Sequence, residues 1–285
     1  VKIFAFKVDV IGGSLADLLA EIDALPIGDR LRYTASGEIS LKSITKVGNG
    51  IWELDFTKFR HTGPGRAPRD APNEDFNLNA DEFFGEETAA YFVAGRSTIA
   101  VQFNHYGPRN AAIEQYFQSM AFDFRTKMLA PISSLALVPV VRNDAFTRLS
   151  KLAAIRRMEF KVYVPGALAS THTVRPSVGQ VLKGPILGNS QEMTVKLSSG
   201  RSRSFDLQEV KSTVTDLLGL GSDLTYLKVH GAEDENEPSQ PLDLLGAQLT
   251  AERGVASASR KRIPLPDRMI AIKSAYDEWA GSGQI

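Results

Sequence analysis

The chain of 285 residues exceeds the usual span of one hydrophobic core, so two domains or one elaborated domain are expected, and its composition, 43% hydrophobic and 23% charged, is that of a folded globular protein. Its 33 Lys or Arg balance 33 Asp or Glu, which excludes a global field that draws in a polyanion; any nucleic-acid binding must come from locally segregated charge. Cys is absent, which excludes disulfides, thiolate metal sites and a Cys nucleophile, and suits a reducing, cytoplasmic setting.

Val1–Ile11 alternates apolar with polar or small residues and holds Lys2, Lys7 and Asp9, the pattern of a strand and not of a signal peptide. No window approaches ~18 uninterrupted apolar residues, so no membrane span is expected. Ser14 is placed to cap a helix whose Leu15, Leu18, Leu19, Ile22 and Leu25 share one face. Three strands are predicted next, Arg30–Thr34, Glu38–Val47 and Ile51–Arg60, the last two joined by a tight Gly48-Asn49-Gly50 hairpin. Trp52, Leu54, Phe56 and Lys58 fall on one side of the third, which points that side to the core. Gly63, Pro64, Gly65, Pro68 and Pro72 then mark a long exposed loop whose Arg66 and Arg69, with Arg60 before it, suit either phosphate or plain solvation.

Strands Ala89–Val93 and Thr98–Phe103 flank Gly95-Arg96 and lead through Asn104-His105-Tyr106-Gly107-Pro108 into a helix with Ile113, Tyr116, Phe117, Met120 and Phe124 on its buried stripe. Leu135–Val141 reads as a strand, Ala145–Ala153 as a helix and Ile155–Val164 as a strand. Beyond them a Ser177-x-x-Gln180 capping box opens a helix, Glu192–Ser198 is a strand, and Asp206 with Glu209 caps a helix that ends at Gly219. Leu224–His230 and Leu242–Ala251 read as strands around the acidic turn Glu233–Glu237, and Arg268–Trp279 closes the series as an amphipathic helix. The expected fold is α+β. It comprises a mixed or antiparallel sheet domain with packed helices over residues 1–153, to which the helix of 263–285 is free to return, and a second, smaller α+β domain over 154–258.

Local charge is more telling than the total. Residues 151–211 hold ten basic and four acidic residues, a net of +6, whereas 212–258 hold two basic and eight acidic, a net of −6. In the basic part, Ser198-Ser199-Gly200-Arg201-Ser202-Arg203-Ser204 combines guanidinium groups, hydroxyls and a backbone-exposing Gly, the donor types that contact phosphate without reading sequence; Ser257–Arg262 repeats that chemistry. Both segments equally suit solvated connectors. Neither has aromatic residues for base stacking, so duplex DNA is the expected partner over single strands. The candidate phosphate contacts are Arg201, Arg203, Arg260, Lys261 and Arg262, with Lys58 and Arg60 as a secondary set.

Catalytic signals are few. His61, His105, His172 and His230 lack the i, i+4 spacing of a helical zinc site, and no phosphate loop, nucleophile elbow or dinucleotide fingerprint is present. Asp144 followed by Glu159-x-Lys161 resembles the Mg²⁺-binding core of restriction endonucleases, which makes a nuclease the runner-up, although the alternation of Met158, Phe160 and Val162 accounts for that strand without metal. No catalytic residue, metal or cofactor is assigned.

The run from Glu87 to Phe103, followed by Tyr106-Gly107-Pro108 and an amphipathic helix, resembles the strand pair and Gly-Pro helix start of the RexA-like phage-exclusion proteins, and is similar to a wider set of prophage and defence-island proteins. The resemblance covers roughly residues 50 to 125 and implies a homodimeric, non-catalytic DNA-binding protein of phage exclusion or antiviral defence, with a second defence protein as a further partner. It supplies no motif for DNA contact, so the candidates above rest on charge alone. A protein-interaction component that works through Glu233–Glu237 is the third reading.

Overall fold

Four apolar residues in succession, Ala89-Ala90-Tyr91-Phe92, are all buried, which a strand achieves only when both faces of its sheet are covered. The computed structural model describes residues 1–63, 76, 78–79, 82–163, 192–200, 203–255 and 262–285. The capping box at Ser177 and most of the Pro-rich loop, with Arg66 and Arg69, lie outside them. Within them are β1 (Lys2–Ile11), α1 (Leu15–Asp23), β2 (Leu31–Thr34), β3 (Gly37–Gly48), β4 (Ile51–Arg60), β5 (Phe84–Val93), β6 (Thr98–Phe103), α2 (Asn110–Phe124) and β7 (Ser134–Pro139). These are followed by α3 (Asn143–Lys151), β8 (Ala154–Tyr163), β9 (Glu192–Ser198), α4 (Leu207–Leu218), β10 (Leu224–Ala232), β11 (Gln240–Asp243), β12 (Thr250–Glu252) and α5 (Leu265–Gly281). With both sheets antiparallel throughout, the fold is α+β.

The larger sheet runs β12-β1-β6-β5-β4-β3-β2, with β7 also on β1. One edge of β1 is divided between two strands: Lys2–Phe4 pair with β12, and Phe6–Ile11 pair with β7. One face of this sheet presents Val8, Leu41, Trp52, Leu54, Phe56, Ala90 and Phe92 to α1 and α2; the other presents Ile3, Ala5, Ala89, Tyr91 and Ala100 to α5. Each large side chain so buried contributes about 1.5–3 kcal/mol. The caps follow the local chemistry: Ser14 Oγ accepts from Asp17 N at 3.1 Å, and Asp206 Oδ1 accepts from Gln208 N and Glu209 N at 2.9 Å.

The smaller sheet runs β11-β10-β8-β9, and the described helices pack on one of its faces. Met158, Phe160, Val162, Leu227 and Val229 meet Leu149 of α3 and Val210, Val214 and Leu217 of α4. The strand predicted over Leu242–Ala251 divides into β11 and β12 because Asp243 Oδ1 accepts from Gly246 N at 2.7 Å, closing a turn that carries the chain from the smaller sheet to the larger.

The two sheets meet at the tight turn Gly221–Asp223. Gly221 has φ +58, and a Cβ there would lie 2.8 Å from Glu114 Oε2 and 3.2 Å from the Leu137 carbonyl oxygen. Glu114, buried on α2, accepts from Leu137 N at 2.7 Å. Beside it Asp223 is partly buried with no ion pair for its carboxylate among the described residues, and burial pushes its pKa up to about 6. A raised carboxyl pKa means that the folded state holds the proton more tightly, so this group's contribution is present at low pH and lost as pH rises from about 4 to about 6. Asp223→Asn is therefore expected to raise stability by about 2 kcal/mol at pH 7 and to bring no gain at pH 4, read by urea denaturation at the two pH values. An equal gain at both would refute the linkage.

Candidate nucleic-acid interface

Strand periodicity turns every second residue of β8, β9 and β10 away from the smaller core, onto the face that no helix among the described residues covers. Arg157, Glu159 and Lys161 of β8 stand there beside Lys196 of β9 and Lys228 and His230 of β10, in a register that sets Glu159 opposite both Lys196 and Lys228. From strand geometry, Arg157 and Lys161 are about 13 Å apart along β8, and Lys196 and Lys228 about 10 Å apart across it. Those spacings are comparable with the roughly 12 Å major-groove width of B-DNA, so one flat face can meet phosphates of more than one backbone segment.

The acids on this face are fewer than the cations and are shared. Glu159 Oε1 lies 3.5 Å from Arg157 Nη1, 3.5 Å from Lys196 Nζ and 3.9 Å from His230 Nε2. Desolvation works to raise the Glu159 pKa, but Lys196, His230 and Arg157 together outweigh it and hold the carboxyl below its usual range. Desolvation lowers the His230 pKa against the pull of Glu159, so the ring is neutral at physiological pH. At the rim, Lys161 meets Glu192 at 2.6 Å and Lys228 meets Asp243 at 3.5 Å. Lys196 remains about half exposed, and exposed ion pairs of this kind contribute only about 0–1 kcal/mol, little resistance to exchange for a phosphate.

The sequence-derived candidates fall in separate places. Arg203 is exposed at the end of this same sheet: Ser199 Oγ donates to its carbonyl at 2.6 Å, and Ser204 Oγ accepts from Ile155 N at 2.8 Å. Arg201, Arg260 and Lys261 lie outside the described residues. Lys58 and Arg60 belong to β4 on the larger sheet, where Arg60 reaches Glu86 at 3.0 Å and stacks over Tyr106. Arg262 is bound to Glu87 on the opposite face of that sheet, beneath α5. The structure thus places Arg203 near the end of the charged sheet and does not bring Lys58, Arg60 or Arg262 there.

Arg262 is part of a network that sequence reasoning missed. Arg268 of α5, 2% exposed in its side chain, donates to both oxygens of Asp55 at 2.9 and 3.1 Å and to Glu87 Oε2 at 2.9 Å. Burial raises the Asp55 pKa despite the hydrogen bond and charge of Arg268. This group ties α5 to β4 and β5.

The endonuclease-like trio is not assembled. Asp144, in the first turn of α3, lies on the side of the smaller sheet that the described helices cover and pairs with Arg142 at 3.4 Å, whereas Glu159 and Lys161 occupy the other side. Among the described residues no three His, Asp or Glu converge to hold a metal ion, and no helix is long and apolar enough to cross a membrane.

Residues 14–279 match the model of DUF6731, described as a family of unknown function. No curated protein matches the chain.

Proposed function

We propose, starting from the chain's membership of the DUF6731 family, that this protein binds duplex DNA without strong sequence preference through the open face of its smaller sheet, as a non-catalytic component of a phage-exclusion or antiviral defence system. The observation that carries the DNA reading is the placement of Arg157, Lys161, Lys196 and Lys228 on one sheet face that no helix among the described residues covers, with Arg203 near the sheet's end. The defence setting and a homodimeric state are supported by the resemblance of Glu87–Phe103. Contacts of this kind neutralise phosphates and release counterions, so sequence is not read and salt opposes binding. Arg262, already paired with Glu87, is left out of the proposed contact set.

Titration of an arbitrary 25-base-pair duplex is expected to give a log–log salt slope of about −3 to −4, corresponding to about four neutralised phosphates. Reversing Lys161, Lys196 and Lys228 to Glu together should weaken binding by about 100-fold and flatten the slope, whereas Lys58→Glu with Arg60→Glu leaves both nearly unchanged. Glu159→Gln removes the shared anion and should tighten binding by a few-fold. Unchanged affinity in the triple variant overturns the assignment, and Mg²⁺-dependent cleavage abolished by Glu159→Gln would establish the nuclease alternative.

A further inference from the structure

A second feature lies apart from the charged sheet face, where the larger sheet approaches the start of β10. A cleft of about 360 Å³ is floored by Phe4, Phe103, Leu224 and Leu245 and edged by Arg109 and Asn110. This volume is at the lower end of the roughly 300–1,000 Å³ range of small-molecule sites, and its lining joins these apolar residues with the polar side chains of Gln102, Arg109, Asn110, Thr225 and Gln248. No acidic side chain lines it, and Asp223, although next to Leu224 in sequence, is not among its walls.

The polar groups at its edge have unused donors. Arg109 makes contacts of 3.4 and 3.3 Å to the ring and carbonyl of His105 and stacks 5.4 Å from the Phe103 ring centre, with no carboxylate partner among the described residues. The Asn110 side chain has no hydrogen-bond partner among them. Phe103 packs edge to face on Phe4 at 5.8 Å yet is 39% exposed, leaving much of an aromatic surface open beside a guanidinium. An uncompensated cation next to open aromatic surface complements a ligand that is itself part apolar and part anionic. The first turn of α2, which has neither a side-chain cap nor an acidic residue, adds positive potential in the same direction.

We infer that this cleft binds a small aromatic anion, its ring on Phe4, Phe103, Leu224 and Leu245 and its carboxylate, sulfonate or phosphate on Arg109 and Asn110. The site is independent of the DNA reading, because none of the sheet-face cations lines it.

The test is a fluorescence titration of the full chain with 8-anilinonaphthalene-1-sulfonate, beside its neutral analogue N-phenyl-1-naphthylamine. Saturable binding of the sulfonate is expected, about tenfold tighter than that of the analogue, which corresponds to one charge-assisted contact. Arg109→Ala should remove that preference. So should Asn110→Asp, a change that favours the helix by placing an acid in its first turn and therefore separates loss of binding from loss of folding. Equal affinity for the two probes, sulfonate binding indifferent to both substitutions, or no saturable binding would each overturn the inference. The triple sheet-face variant is expected to bind the sulfonate as the native chain does, so failure of either reading leaves the other intact.

Discussion

Replacing Arg268 with Met is expected to lower the unfolding free energy by about 3–5 kcal/mol at pH 7, the usual cost of leaving a buried charge without its partner. The magnitude follows from which acid loses its cation. Glu87 keeps Arg262 on its carboxylate, whereas among the described residues Asp55 has its ion-pair hydrogen bonds from Arg268 alone. Asp55 already has a raised pKa through burial, so the variant pushes it higher, and the loss should shrink as pH falls and the carboxyl is protonated. Adding Asp55→Leu to Arg268→Met should restore most of the stability, because the intact pair's attraction is largely offset by the desolvation of both ions. Urea denaturation of the single and double variants decides it. A double variant no more stable than Arg268→Met would mean that the pair contributes through packing and not through charge.

Gly221→Val is expected to cost about 2–4 kcal/mol, combining the strain of a β-branched residue in left-handed backbone with overpacking at a fixed site. The φ of +58 is one contribution; the other is that the new Cβ meets Glu114 Oε2 at 2.8 Å and the Leu137 carbonyl at 3.2 Å, neither of them the free end of an exposed chain. Since this turn joins the two sheets, the variant should also broaden the denaturation transition as the halves uncouple, seen as a reduced m-value. A loss below about 1 kcal/mol with an unchanged m-value would show that the junction yields at little cost.

How far the sequence carried is visible in particular residues. Period-two alternation placed Trp52, Leu54 and Phe56 on one buried side of β4, and the structure buries all three. The α+β class followed from such patterns together with the Ser14 and Asp206 caps. Leu244, Ala247 and Leu249 misled the reading of Leu242–Ala251 as one strand, because they are buried in the turn between sheets, and apolarity reports burial and not extension. Helix α2 begins at Asn110, two residues after Pro108, since proline fixes its own backbone without fixing where the helical hydrogen bonds start.

The candidate site was only half legible. Glu159 and Lys161 stood opposite Met158, Phe160 and Val162 in the alternation, which set them on the side of β8 away from the smaller core. Lys228 was hidden inside a segment of net charge −6, and only the pairing of β10 with β8 brings it beside Glu159. Asp55 and Arg268 are 213 residues apart, a separation at which no local pattern can announce a contact.

The divided edge of β1 also sets an order of assembly. Lys2–Phe4 find their neighbours on that edge at Thr250–Glu252, which are made only after the whole intervening chain has been synthesised. Closure over so long a loop is slow compared with the formation of the local hairpins β3–β4 and β5–β6. Until β12 docks, the first turn of the strand offers free backbone groups to any other chain in the same state. Newly made protein therefore passes through a stage in which concentration favours association, and dilution or chaperone capture during that interval should raise the yield of the folded form.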